Sequence, residues 1–151
     1  MSKTWETSQI FGDSNPKDNF GWSILFEASY SRLLIGSPGY GSCKVLVYLY
    51  PIGNDYFSMI TIYLVGSNEI NAFGLSVQLC IDGNHFVIES PGKEGSGSAK
   101  MCKFDDFGMY HCNEFFDKER DNFGDSISLN KNDSSVVIGV PFSGSTLVFS
   151  K

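Results

Sequence analysis

Phe20-Gly21-Trp22-Ser23, Phe73-Gly74-Leu75-Ser76 and Phe123-Gly124-Asp125-Ser126 are three copies of one pattern, and each precedes an apolar run closed by a proline: Pro38, Pro91 and Pro141. In every copy the proline lies 18 residues after the Phe, and successive copies begin 53 and 50 residues apart. A fixed period near fifty is the mark of an array of equivalent supersecondary units. A fourth match, Phe11-Gly12-Asp13-Ser14, has Ser29 where the proline should stand and breaks the period, so it is set aside.

Each copy divides in the same way. After Phe-Gly comes a short β-prone segment (23–26, 76–79, 126–129), then a polar turn, then an apolar run (33–36, 86–89, 136–139) of the kind that suits a strand buried on both faces. A Gly-rich turn leads to a third segment at 44–48, 99–104 and 146–149. A fourth candidate strand follows at 56–65 and at 107–116, whereas after the third copy the sequence stops at Lys151. The matching element stands at 4–10, before the first copy. The expected architecture is therefore all-β: three four-stranded antiparallel blades of a partial β-propeller, with the outer strand of the last blade supplied by the N-terminal strand. The whole of 1–151 reads as one domain, with repeats at about 20–66, 73–116, and 123–150 plus 4–11. Gly21, Gly74 and Gly124 suit positive φ or close backbone approach, and the prolines sit where no ladder donor is needed.

Composition narrows the function. The 151 residues include 13 Phe, 7 Tyr and 16 Gly, only 19% are charged, and the net charge is −6. Aromatic and β-branched residues with frequent Gly favour strands. The acidic balance, with no Lys/Arg cluster to break it, argues against nucleic acid. No apolar run approaches the roughly 20 residues of a membrane span, and residues 1–10 lack a signal-peptide pattern. The expected setting is thus intracellular or virion-associated, without membrane insertion. In such a compartment Cys43, Cys80, Cys102 and Cys112 are expected as thiols, although Cys102 and Cys112 fall where a hairpin would bring them face to face. Their spacings match no zinc signature.

These residues resemble the FG-GAP repeat, the blade unit of integrin-α-type β-propellers. The Phe-Gly-x-Ser copies match its first half. Ile35-Gly36-Ser37-Pro38-Gly39, Ile88-Glu89-Ser90-Pro91-Gly92 and Ile138-Gly139-Val140-Pro141 match its second. The resemblance implies protein binding or adhesion. Many blades of that family carry an Asp-x-Asp-x-Asp-Gly calcium loop. The loops here, 27–31, 81–85 and 130–134, lack the alternating carboxylates needed by a cation that takes roughly six to eight oxygens. No metal or cofactor is expected.

Three blades do not close a propeller, since closed ones use roughly 4–8. The expected function is accordingly a non-enzymatic structural or protein-interaction module, a half-propeller completed by another chain. One form is a six-bladed homodimer in which the strand around Trp5 completes the partner's third blade, and another is a larger complex. The alternative is carbohydrate binding, with Trp22 and Tyr40 as aromatic platforms. Positions 22, 75 and 125 are Trp, Leu and Asp, which counts against identical pockets between blades.

No catalytic constellation emerges. Ser23, Ser76 and Ser126 recur at equivalent positions, and a repeated Ser reports a repeated hydrogen bond rather than a nucleophile. Phe20, Phe73 and Phe123 read as packing residues by the same logic. His85, after Asp82-Gly83-Asn84, reads as a solvated turn residue. His111 and Cys112 are neighbours on one strand and point to opposite faces, which disfavours joint ligation. Residues 92–100 are Gly-rich but lack the Gly-Lys-Ser/Thr ending and the following helix of a phosphate loop, so they read as a turn.

Overall fold

The computed structural model describes residues 7, 10–12, 15–27, 32–39, 44–49, 58–65, 72–91, 97–105, 110–116, 122–130 and 134–150. Within them the chain builds three separate antiparallel sheets, each strand pairing with its neighbour in sequence. The first holds β1 (Ser23–Glu27), β2 (Arg32–Ser37), β3 (Lys44–Leu49) and β4 (Ser58–Val65). The second holds β5 (Val77–Leu79), β6 (His85–Ser90), β7 (Ser98–Phe104) and β8 (Tyr110–Phe116). The third holds β9 (Ser126–Leu129), β10 (Ser135–Val140) and β11 (Ser145–Ser150).

The all-β expectation stands, but the finer architecture needs correction. The third sheet has three strands among the described residues, not four, and the three sheets close neither a barrel nor a propeller ring. Residues 10–12 carry no strand. Phe11 packs on Leu33 and Ile35 of β2, at the first sheet; most of the expected strand at 4–11 lies outside the described residues. Trp5 lies outside the described residues.

The repeated motif is a repeated turn. Asn19, Ala72 and Asn122 immediately precede the three Phe residues and all take left-handed backbone, with φ of 53°, 50° and 54°. Two residues later Gly21, Gly74 and Gly124 have φ of 87°, 90° and 86°. Each turn is closed by the amide of the residue after the glycine, Trp22 to Asn19 O at 3.1 Å, Leu75 to Ala72 O at 3.0 Å and Asp125 to Asn122 O at 3.2 Å. A β-turn with positive φ at its third residue needs glycine there, which is why the Phe-Gly pair recurs. The glycine amides then donate to Gly36 O, Glu89 O and Gly139 O at 3.1, 2.9 and 3.1 Å. Each turn is thus pinned to the end of its own second strand, two residues before the repeat proline.

Packing follows strand alternation. One face of β6 sends Phe86 and Ile88 into a core shared with Leu34, Val45 and Phe73, while its other face sends Val87 into a core with Phe123, Val136 and Ile138. β2 and β6 are buried on both faces, as their apolar runs predict. β10 is not: buried Val136, Ile138 and Val140 alternate with half-buried Ser135, Val137 and Gly139. The difference is positional, because nothing among the described residues follows the third sheet.

Candidate assembly interface

The joint between the first two sheets is made by the second Phe-Gly turn. Ser23 Oγ donates to Gly74 O at 2.8 Å, and a Cβ on Gly36 would overlap that same carbonyl oxygen and Ser23 Oγ. A Cβ on Gly74 would lie 3.0 Å from the Lys44 carbonyl oxygen and 3.0 Å from Val45 Cγ2. The notch on the first sheet is therefore Ser23, Gly36 and Lys44, and the Gly74 turn seats in it backbone to backbone. Arg32 adds a clamp: its guanidinium donates to the Gly83 carbonyl and lies 4.5 Å over the Phe104 ring.

The second joint repeats this plan with one substitution. A Cβ on Gly124 would lie 3.0 Å from Ser98 O, as that on Gly74 does from Lys44 O, and a Cβ on Gly97 would overlap the Phe123 carbonyl. Cys80 Sγ donates to Asn130 O at 3.3 Å. Where the first and third copies carry glycine, however, the second carries Glu89. Its side chain is wholly buried and neither carboxylate oxygen meets hydrogen-bond geometry. Burial pushes its pKa up to about 8; the nearby Ser76 hydroxyl opposes the rise and the Asp125 charge adds to it.

At the two ends of the array the equivalent surfaces are exposed in part, Leu33 and Ile35 of the first being covered by Phe11 and Phe20. On β1, Ile24 and Phe26 are 62% and 56% exposed, whereas the equivalent Val77 on β5 is 4% exposed against the preceding sheet. A Cβ on Gly21 would have open space around it, unlike one on Gly74 or Gly124. At the other end, Ser126, Ser128, Val137, Gly139 and Thr146 line a shallow depression of about 260 Å³. By strand register Ser126 and Gly139 pair as Ser23 and Gly36 do, so this depression is the third copy of the notch.

The other residues singled out in the sequence divide as follows. Phe73 and Phe123 are fully buried at the two joints, while Phe20 is half-buried beside Leu33 and Ile35. Pro91 is buried, Pro38 half-buried and Pro141 exposed. Ser76 is half-buried and Ser126 exposed. Trp22 is 63% exposed, so it does not pack between sheets. Tyr40 lies outside the described residues.

His85 corrects its reading as a solvated residue: its side chain is only 14% exposed and Nδ1 lies 2.5 Å from Asp82 Oδ2. Asp82 Oδ1 also accepts from the Asn84 and His85 amides at 2.9 and 3.1 Å. Burial works to raise the Asp82 pKa, but the hydrogen bonds from His85 and Asn84 outweigh it and hold the carboxyl below its ordinary range. The pair fastens a hairpin turn.

Cys102 and Cys112 also depart from expectation. They are direct cross-strand partners on β7 and β8 and form a disulfide, with Cα atoms 4.0 Å apart. Strand register overrides the compartment argument that favoured thiols. Thiol titration of the unfolded, unreduced protein should find no more than two reactive groups per chain, and four would contradict the pairing. Among the described residues no group of three or more His, Cys, Asp or Glu side chains is placed to hold a metal ion, and no helix is long and apolar enough to cross a membrane.

Comparison with protein-family models, with curated proteins and with solved structures gives no match. The resemblance to the FG-GAP repeat therefore rests on the three motif copies alone.

Proposed function

We propose that this chain is a non-enzymatic assembly module whose terminal sheet faces are contact surfaces for protein, in the first place for another copy of the chain. The observation that carries this reading is the contrast at equivalent positions: Ile24 is 62% exposed at the first sheet, and its counterpart Val77 is 4% exposed at the second. A contiguous face carrying Trp22, Ile24 and Phe26 is the kind of apolar surface that soluble monomers seldom leave open. The likeness of the three motifs to FG-GAP repeats supports the same conclusion, because that family serves protein binding and adhesion. Repetition of the motif serines and phenylalanines at structural joints supports a scaffold rather than an enzyme.

Light scattering on the purified chain tests the proposal. The expected mass at about 100 µM is at least twice the 16.7 kDa of one chain. A well-folded species that stays at 16.7 kDa over that range would sink it.

A further inference from the structure

We infer that the depression on the third sheet is the receptor for the Phe20-Gly21 turn of a second copy, so that chains associate head to tail. The occupant is identified by what fills the equivalent notch inside the chain. On the first sheet the Ser23 hydroxyl and Gly36 receive the carbonyl of Gly74, with the Ser23 bond at 2.8 Å. On the third sheet Ser126 and Gly139 hold the same register and line an open depression. Of the three Phe-Gly turns, two are seated, and the first has open space around Gly21. Among the described residues, the turn with open space at its glycine and the open notch of matching design belong to the first and third sheets, the two ends of the array.

The side chains around the two vacant halves agree with this pairing. Ile24 on the first sheet is equivalent to Val77, which is buried against the preceding sheet, and to Ile127, which packs into the second joint. On the receiving side, Leu25, Leu34 and Val45 of the first sheet are replaced on the third by Ser128, Val137 and Thr146. A receiving face made partly of hydroxyls stays hydrated while vacant and still offers the glycine notch to a backbone turn. The contact is heterologous, so it generates a ring if the rotation closes and a filament if it does not.

This inference rests on the proposed assembly function, and a complementation experiment separates the two. Ile24→Glu blocks the donating face and Thr146→Arg blocks the receiving one; both positions are exposed, at 62% for Ile24. Far-UV circular dichroism checks that each variant folds, and Ser128→Arg on the same exposed face replaces Thr146→Arg should that variant not fold. Each variant alone should weigh 16.7 kDa by light scattering. An equimolar mixture should restore a species of about twice that mass, because the intact turn of the Thr146→Arg chain meets the intact notch of the Ile24→Glu chain. If the wild type associates but the variants keep its mass, or the mixture stays monomeric, head-to-tail docking is overturned and the assembly function stands on another surface. A monomeric wild type overturns both.

Discussion

Replacing Glu89 by Gln should flatten the stability of this protein across the pH range in which the wild type steadily weakens. In the wild type the carboxyl is buried at the second joint without a hydrogen bond, and its pKa is raised to about 8. Below pH about 4.5 the group is protonated in both the folded and the unfolded chain, and its ionisation affects neither. As pH rises toward 8 the unfolded chain loses the proton while the folded chain keeps it. Folding then takes up a proton, and stability falls by up to about 1.4 kcal/mol per pH unit. Above pH 8 the loss levels off at roughly 3–5 kcal/mol, the order set by that slope over the interval.

Glutamine has the shape of the protonated acid and cannot ionise, so Glu89→Gln should match the wild type near pH 4.5. It should exceed it at pH 8.5 by most of that amount, on the order of 10 °C in Tm for a domain of this size. Urea midpoints measured for both proteins from pH 4.5 to 9 provide the check, and parallel profiles would refute the assignment. Asp82 contributes with the opposite sign and in a separate window. Its lowered pKa adds stability above the ordinary carboxylate range that is lost as pH falls through the folded value.

The second large effect separates the seated turns from the vacant one. Phe73→Ala and Phe123→Ala each remove a ring that is at most 1% exposed, from the first and second joints respectively, and should cost about 3–5 kcal/mol. Phe20 holds the same place in the repeat but is only half-buried, against Leu33 and Ile35. Phe20→Ala should cost about 1–2 kcal/mol at protein concentrations where the chain is monomeric, since only part of the ring leaves the solvent on folding. Equal losses at the three positions in urea unfolding would mean that the motif stabilises its own turn rather than the joint between sheets.

Much of the fold was legible because the repeat obeys local chemistry. Glycine is needed where φ is positive, a short apolar run marks a strand buried on both faces, and proline stands where no ladder donor is required. The left-handed residue before each Phe left a trace at Asn19 and Asn122, but Ala72 hides it in the middle copy, because alanine gives no hint of left-handed backbone. The third sheet has three strands among the described residues where four were expected, because a β-prone segment carries no local mark of the sheet it would join, and Phe11, next to the expected strand, packs on the first sheet.

The site was harder to read. Glu89 in Ile88-Glu89-Ser90-Pro91 looks like a surface substitution, and only the docking of a third sheet onto its face makes it a buried acid. The Cys102–Cys112 pair followed the hairpin register that brings them opposite each other, while the expectation of thiols leaned on compartment. Exposure of Trp22 and Ile24 depends on what packs against the first sheet, which no single repeat can report.

Isotope-filtered NMR on a mixture of labelled and unlabelled chains reads the head-to-tail contact itself. Inside each chain, Gly36 and Gly74 are in backbone contact and should give a strong nuclear Overhauser effect between their α-protons. Head-to-tail docking predicts the corresponding intermolecular effect between Gly139 of one chain and Gly21 of the other. A clear Gly36–Gly74 signal with no Gly21–Gly139 signal in the associated protein would contradict the account.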